Sequence, residues 1–240
     1  MRFLTIVFLL LGLSSTIYAD NLPPHIDISY TVTTGIGQGE LNETVEIVQN
    51  EDSHRYSISS EAQALGIMKI IKPGSILRNS RGEITSTGLK PTYFSDQRGK
   101  KKPSMAHFDW EKNRITLTHK GKKTSEPLPA NTLDRLSLSY NFMFSKLPED
   151  HLDIYITDGR SLELTRFTIQ NEKLNTPIGT LTTILLTRQP EHDPVKRKIW
   201  LAPDYYMLPV RIVSTEKDGL EIEKMVSEIA IKPIEPYINH

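Results

Sequence analysis

The 240-residue chain carries 29 basic and 29 acidic residues and no cysteine. That balance argues against general nucleic-acid binding, which shows a basic excess. The missing cysteines exclude disulfides, thiol catalysis, zinc–thiolate sites and a lipoprotein anchor, so stability in an oxidising compartment must come from core burial.

The chain opens with "MRFLTIVFLLLGLSSTIYAD". Arg2, the apolar run Phe3–Leu13 and the polar Ser14–Thr16 are ordered as in a secretory signal peptide, predicted to be cut between Ala19 and Asp20. The run is shorter than the ~20 residues that span a bilayer, and no later segment reaches that length. The expectation is therefore a periplasmic protein with residues 1–19 as signal, a single β-rich domain over 20–232 and a loose tail over 233–240. Loss of Arg2 leaves a net charge near −1.

Alternation with period two dominates the mature chain. "HIDISYTVTT" puts Ile26, Ile28, Tyr30 and Val32 on one face, "GIGQG" turns, and "ELNETVEIVQ" and "RYSISSEA" complete a three-stranded meander. A strand over Ser75–Asn79 follows, with "SRGE" as its turn. "GLKPTYFSDQR" is next, its Pro91 suiting a strand start or a sheet edge. "SMAHFDW" and "ITLTHK" form a hairpin around "EKNR". In that register Trp110 faces Ile115, Phe108 faces Leu117 and Ala106 faces His119. In "NTLDRLSLSYNFMFSKLP" the period changes. Leu133, Leu136, Tyr140, Met143 and Leu147 are helically spaced, with Asn131 as cap, Asp134 three residues on and Pro148 as stop. This predicts a helix of about a dozen residues, although "LSLSYNFMF" also alternates like a strand. "DIYIT", "RSLELTRFTI", "GTLTTILLTR", "VKRKIWLA", "MLPVRIV" and "LEIEKMVSEIAI" then restore the strand pattern. Within "KIWLAPDYYMLPVRI", Pro203-Asp204 makes a turn, and Pro209 needs a sheet edge or a bulge. Roughly a dozen strands with short turns predict an all-β fold with one helix: a strongly curved, meandering antiparallel sheet or an incomplete β-barrel.

Five segments, "SRGEITSTGLKPTYF", "HFDWEKNRI", "LDRLSLSY", "LNTPIGTLTTILLTR" and "IWLAPDYYMLPVRI", occur in the order in which the chain resembles the bacterial domain-of-unknown-function family catalogued as 3108, made of exported proteins. The family implies no activity. The "WLAPD…LPVRI" hairpin is also similar, at the level of fold, to those of periplasmic lipoprotein carriers. That likeness implies a curved sheet whose helices cover an apolar cavity, and this chain has one such helix where the carriers have several.

Candidate chemistry is sparse. His107 and Asp109 share a strand face at metal-ligating spacing but lack a third ligand, and His119 points to the other side. "GIGQG" does not have the dinucleotide spacing, and no G-x-S-x-G elbow occurs. Carboxylates such as Glu43, Glu221 and Glu223 read as the wet side of strands. No catalytic set, metal or cofactor is assigned. Two features suit binding. Tyr93, Phe94, Phe108, Trp110, Phe142, Phe144 and Trp200 are core aromatics or the lining of an apolar cavity. Arg98, Lys100, Lys101 and Lys102 precede the hairpin, and Lys120, Lys122 and Lys123 follow it. The register brings both runs to one end, as a patch for anionic groups or as charges guarding sheet edges. The leading reading is a non-enzymatic periplasmic protein that binds a lipid or other apolar envelope molecule in the concave face of the curved sheet, its basic end recognising an anionic head. The alternative is a structural or interaction protein of the envelope with a solid core and a protein partner. An envelope hydrolase ranks last.

Overall fold

The computed structural model describes residues 22–50, 53–66, 69, 74–188, 196–215 and 219–232. The signal peptide, the Ala19–Asp20 junction and the 233–240 tail lie outside the described residues.

Among the described residues fifteen strands form one sheet: β1 (His25–Thr34), β2 (Gly37–Asn50), β3 (Ser53–Ala64), β4 (Ile76–Thr85), β5 (Gly88–Arg98), β6 (Ser104–Asp109), β7 (Arg114–His119), β8 (Lys122–Pro127), β9 (Leu133–Asp134), β10 (His151–Thr157), β11 (Leu162–Thr176), β12 (Gly179–Arg188), β13 (Arg197–Ala202), β14 (Leu208–Thr215) and β15 (Glu221–Lys232). Their order is β8-β7-β6-β5-β4-β3-β2-β1-β15-β14-β13-β12-β11-β10-β9. Two meanders therefore run away from a seam where the first strand pairs with the last. Most neighbours are joined by short connections and pair antiparallel, as such connections require. The parallel pair is β9 with β10.

The sheet is open and strongly curved, as the sequence predicts. Its β9 edge curls back onto the inner face of the first meander. Ser80 Oγ on β4 donates to Asp134 Oδ2 on β9 at 2.6 Å, and Gly159 packs against Met105 and Ser104 of β6. The inner face follows from alternation. Ile26, Ile28 and Tyr30 are fully buried, as are Leu41, Val45 and Ile58 across the ladder. Phe94, Phe167, Leu138 and Tyr140 fill the space between the two meanders. These large side chains leave little of the deeper concave face unfilled.

Three expectations need correction. The segment predicted as a dozen-residue helix holds only α1 (Ser137–Tyr140), followed by a 3-10 turn over Asn141–Met143. Leu133 and Asp134 are taken up by pairing with β10, and Asn131 is left-handed (φ 56°) and does not cap. Leu136 takes the cap position without a side-chain cap, and Asp134 forms the turn before it, its Oδ1 accepting from the N–H groups of Leu136 and Ser137 at 2.9 and 2.8 Å. The apolar spacing was real, since Leu133, Leu136, Tyr140 and Met143 are all buried. The β6–β7 hairpin is offset by two residues from the predicted register, pairing Phe108 with Ile115 and Ala106 with Leu117. An even offset keeps every side chain on its face. Pro209 lies in a central strand at a bulge at Trp200/Leu201, the second of the two placements expected for it.

Finally, "SRGE" is not a turn, because β4 runs through it to Thr85. Here the ladder carries a bulge at Arg81/Gly82, with Gly82 opposite Pro91. A Cβ at Gly82 would run into the Lys90 carbonyl and the Pro91 backbone. Gly82→Ala is expected to cost about 1–3 kcal/mol, as for other overpacked sites, read as a lower midpoint in urea denaturation.

Candidate functional site

The turns β1–β2, β3–β4, β5–β6, β7–β8 and β14–β15 all lie at one end of the sheet, which we call the mouth. Toward the mouth the inner face opens. Val32, Ala62, Ile76 and Ile222 are half-exposed there, whereas Tyr30, Ser60, Ser80 and Val226, deeper on the same strands, are fully or almost fully buried.

Charges interrupt this apolar layer. Glu43 stands between Leu41 and Val45 on β2 and is 2% exposed, which corrects its assignment to the wet side. Its Oε1 accepts from Ser60 Oγ at 2.9 Å, and its Oε2 accepts from the Tyr140 hydroxyl. Lys224 of β15, opposite Val32, brings its Nζ to 3.9 Å from Glu43 Oε1, and 20% of its side chain remains accessible. Arg197, at the start of β13, donates to the Arg135 carbonyl at 3.2 Å, while its Nε is buried without an acceptor. Arg78 pairs with Asp96 at 3.1 Å, and Arg98 reaches the same carboxylate at 3.2 Å.

The electrostatics follow from depth and crowding. Burial pushes the Lys224 ammonium down to about 7. Glu43 opposes this shift, and Arg78, Arg135 and Arg197 add to it. Burial likewise lowers the Arg197 guanidinium to about 9, with Arg135 and Arg78 contributing. Burial, then Glu43, raises the Tyr30 and Tyr140 hydroxyls well above their ordinary value. Burial works to raise the Asp96 carboxyl, yet Arg78, Arg98 and Arg135 hold it below the usual range. The site is thus a cation cluster with few carboxylates, ringed by aliphatic side chains.

The predicted basic residues divide. Arg98 turns inward to Asp96. Lys100, Lys101, Lys102, Lys120, Lys122 and Lys123 are exposed at the mouth. Their two turns adjoin, since a Cβ on Gly121 would stand 4.0 Å from Lys102 Nζ. Lys122 and Lys123 also lie on β8, at the end of the strand order.

The seven aromatics do not converge. Phe94, Phe108 and Phe142 are core, and Phe144 packs at the margin of the core. Tyr93 is on the outer face, edge-on to His107 at 5.0 Å and beneath the Arg81 guanidinium. Trp110 donates to the Pro91 carbonyl at 2.7 Å and borders a cleft of about 340 Å³ with Leu89, Leu133 and Asn141. Trp200 lies on the outer face, in a cleft of about 500 Å³ shared with Leu185, Val213 and Lys198. Its ring lies under Arg211, and its Nε1 donates to Glu172 at 3.1 Å.

His107 and Asp109 stay apart in use, Asp109 accepting from Lys112 at 2.9 Å. His119 hydrogen-bonds Ser104 at 2.9 Å, a contact that the sequence did not suggest. Ser104 is 4% exposed and lies against Gly159.

No helix among the described residues is long and apolar enough to cross a membrane. No curated protein matches the chain. Its fold is similar to that of a beta-barrel-like protein of domain of unknown function DUF1849 from Brucella abortus (8% identity, TM-score 0.52, 89% of this chain and 100% of that one). A lipoprotein-like chain from Parabacteroides distasonis (11%, 0.36, 87% and 97%) and a DUF1329 family protein from Desulfovibrio piger (10%, 0.26, 91% and 90%) are more distant. Of the three, the first supports a statement, that of fold. The family model described as protein of unknown function, DUF3108, matches residues 26–224, and the chain belongs to that family.

Proposed function

We propose that the protein is a non-enzymatic binding protein of the bacterial envelope, exported to the periplasm, which receives the anionic group of an apolar envelope molecule at its mouth. The observation that carries this reading is Lys224 and Arg197 standing inside the curved sheet within an aliphatic ring. A cation taken from water costs several kcal/mol unless it is paired. Glu43 is shared among Tyr140, Ser60 and Lys224, and Asp96 is occupied by Arg78 and Arg98. A phosphate, sulfate or carboxylate seated beside Lys224 would supply the missing charge. Val32, Ala62, Ile76 and Ile222 suit the first methylenes of an attached chain. Because the deeper face is filled, the ligand is held by its charged end, and its apolar remainder is only partly enclosed.

The filled core equally favours the second reading, an envelope interaction protein. Native mass spectrometry of protein purified from periplasm without detergent, together with solvent extraction, separates the two. An anionic amphiphile in fixed ratio is the expected result. A bare polypeptide mass, with no uptake of added phosphatidylglycerol or decyl sulfate, would exclude ligand carriage.

A further inference from the structure

Four consecutive connections meet at the mouth: Thr34–Gly37 between β1 and β2, the β3–β4 connection, Gly99–Pro103 between β5 and β6, and Lys120–Gly121 between β7 and β8. Contacts among their described residues join neighbouring connections along the rim of the mouth. Leu65 N–H donates to the Gln38 carbonyl at 2.9 Å, Gly99 N–H donates to the Ser75 carbonyl at 2.9 Å, and Lys102 reaches Gly121. Two large aliphatic side chains stand in solvent on this rim, Ile36 at 55% exposure and Leu65 at 40%. Lys69, Lys100, Lys101, Lys102, Lys120, Lys122 and Lys123 are exposed around them, and no carboxylate lies on the described tips.

We propose that this rim docks on an anionic lipid surface, with Ile36 and Leu65 entering the headgroup layer and the lysines pairing with phosphates. Each half of the motif constrains the partner. Clustered lysines attract any polyanion, but exposed aliphatics at loop tips gain free energy only where they leave water. Together they fit a membrane surface better than a soluble acidic polymer or protein. The mouth would then face the bilayer. The inference concerns the outside of the protein and does not depend on the interior cation cluster.

Cosedimentation with vesicles of phosphatidylcholine and phosphatidylglycerol (3:1) tests it, with pure phosphatidylcholine as reference. The wild-type protein is expected to partition onto the anionic vesicles and to be released by salt. Reversing Lys101, Lys102, Lys122 and Lys123 to Glu should lower partitioning on the order of a hundredfold. Ile36→Asp with Leu65→Asp should lower it roughly tenfold. All six side chains are exposed, so circular dichroism should report native melting for both variants. Ile36→Ser with Leu65→Ser serves as a milder second pair. Indifference to the anionic lipid, or partitioning unaltered in either set, would overturn the proposal. Loss on lysine reversal alone would identify a polyanion rather than a membrane and would also overturn it. Uptake of decyl sulfate in the absence of vesicles reads the interior site separately from the rim, so failure of the one and failure of the other are distinguishable.

Discussion

Asp134→Ala is expected to destabilise the protein by about 3–5 kcal/mol, the range found when a buried polar network loses its centre. Asp134 is fully buried where the β9 edge returns to the inner face of β4. Its carboxylate accepts from Ser80 Oγ at 2.6 Å and from the backbone N–H groups of Leu136 and Ser137, and Tyr56 hydrogen-bonds Ser80 at 3.1 Å. Alanine leaves three donors unpaired in a dry site and removes one of the contacts that fasten the two meanders together. A fall of roughly 10 °C in Tm should follow for a chain of this size. Burial also raises the Asp134 carboxyl above its ordinary value, against the donors that face it. The folded state therefore binds the proton more tightly than the unfolded chain does. That contribution is complete below about 3.8 and is lost as pH rises through the elevated folded value. Asp134→Asn keeps an acceptor for the two backbone groups. Its deficit against the wild type should be largest in acid and shrink toward neutrality. A deficit that grows with pH would contradict the assignment.

The same geometry explains what alternation could and could not reveal. Strand faces in β1, β2, β6 and β7 were readable because one buried face imposes a strict period of two. They survived even a two-residue slip in the β6–β7 hairpin. The second period, around Leu133–Met143, was ambiguous because helix and strand patterns both fit. The outcome was decided by pairing of Leu133 and Asp134 with β10, a contact between residues far apart in sequence. The interior charges were visible as exceptions to phase. Glu43 follows Leu41 and precedes Val45, Lys224 sits between Ile222 and Val226, and Arg78 between Ile76 and Ser80. Sorting residues by chemistry sent Glu43 to solvent, whereas sorting by phase sends all three inward. The aromatics failed in the opposite way. Ring size says that a residue will pack, but not on which face of the sheet, and so Trp200 and Tyr93 fell outside the curve.

Binding of a small anionic amphiphile should weaken as pH rises above about 7, and Lys224→Met should remove that dependence. Decyl sulfate is a suitable probe because its charge does not change over the range, so any pH dependence belongs to the protein. Lys224 loses its proton at about 7, and burial is the main cause. An anion seated beside it favours the charged form. Binding therefore takes up one proton above that value, and the affinity falls by up to tenfold per pH unit. At pH 6 the wild type should bind at least tenfold more tightly than Lys224→Met, while the charge-reversing Lys224→Glu should abolish binding. Stability without ligand moves the other way. Between about 7 and 10.5 the unfolded chain binds the Lys224 proton more tightly than the folded protein does, so wild-type stability gains from rising pH across that window. Methionine has no proton to lose. Lys224→Met should then exceed the wild type in stability at and below pH 7, with the advantage closing toward pH 10.5, since Glu43 keeps Ser60 and Tyr140 as donors. Titration calorimetry and urea denaturation over pH 6–10 measure both curves. A flat affinity profile in the wild type, or the same slope in Lys224→Met, would place the anion away from Lys224. A stability advantage that failed to close would mean that the cost of Lys224 is not that of burying its charge.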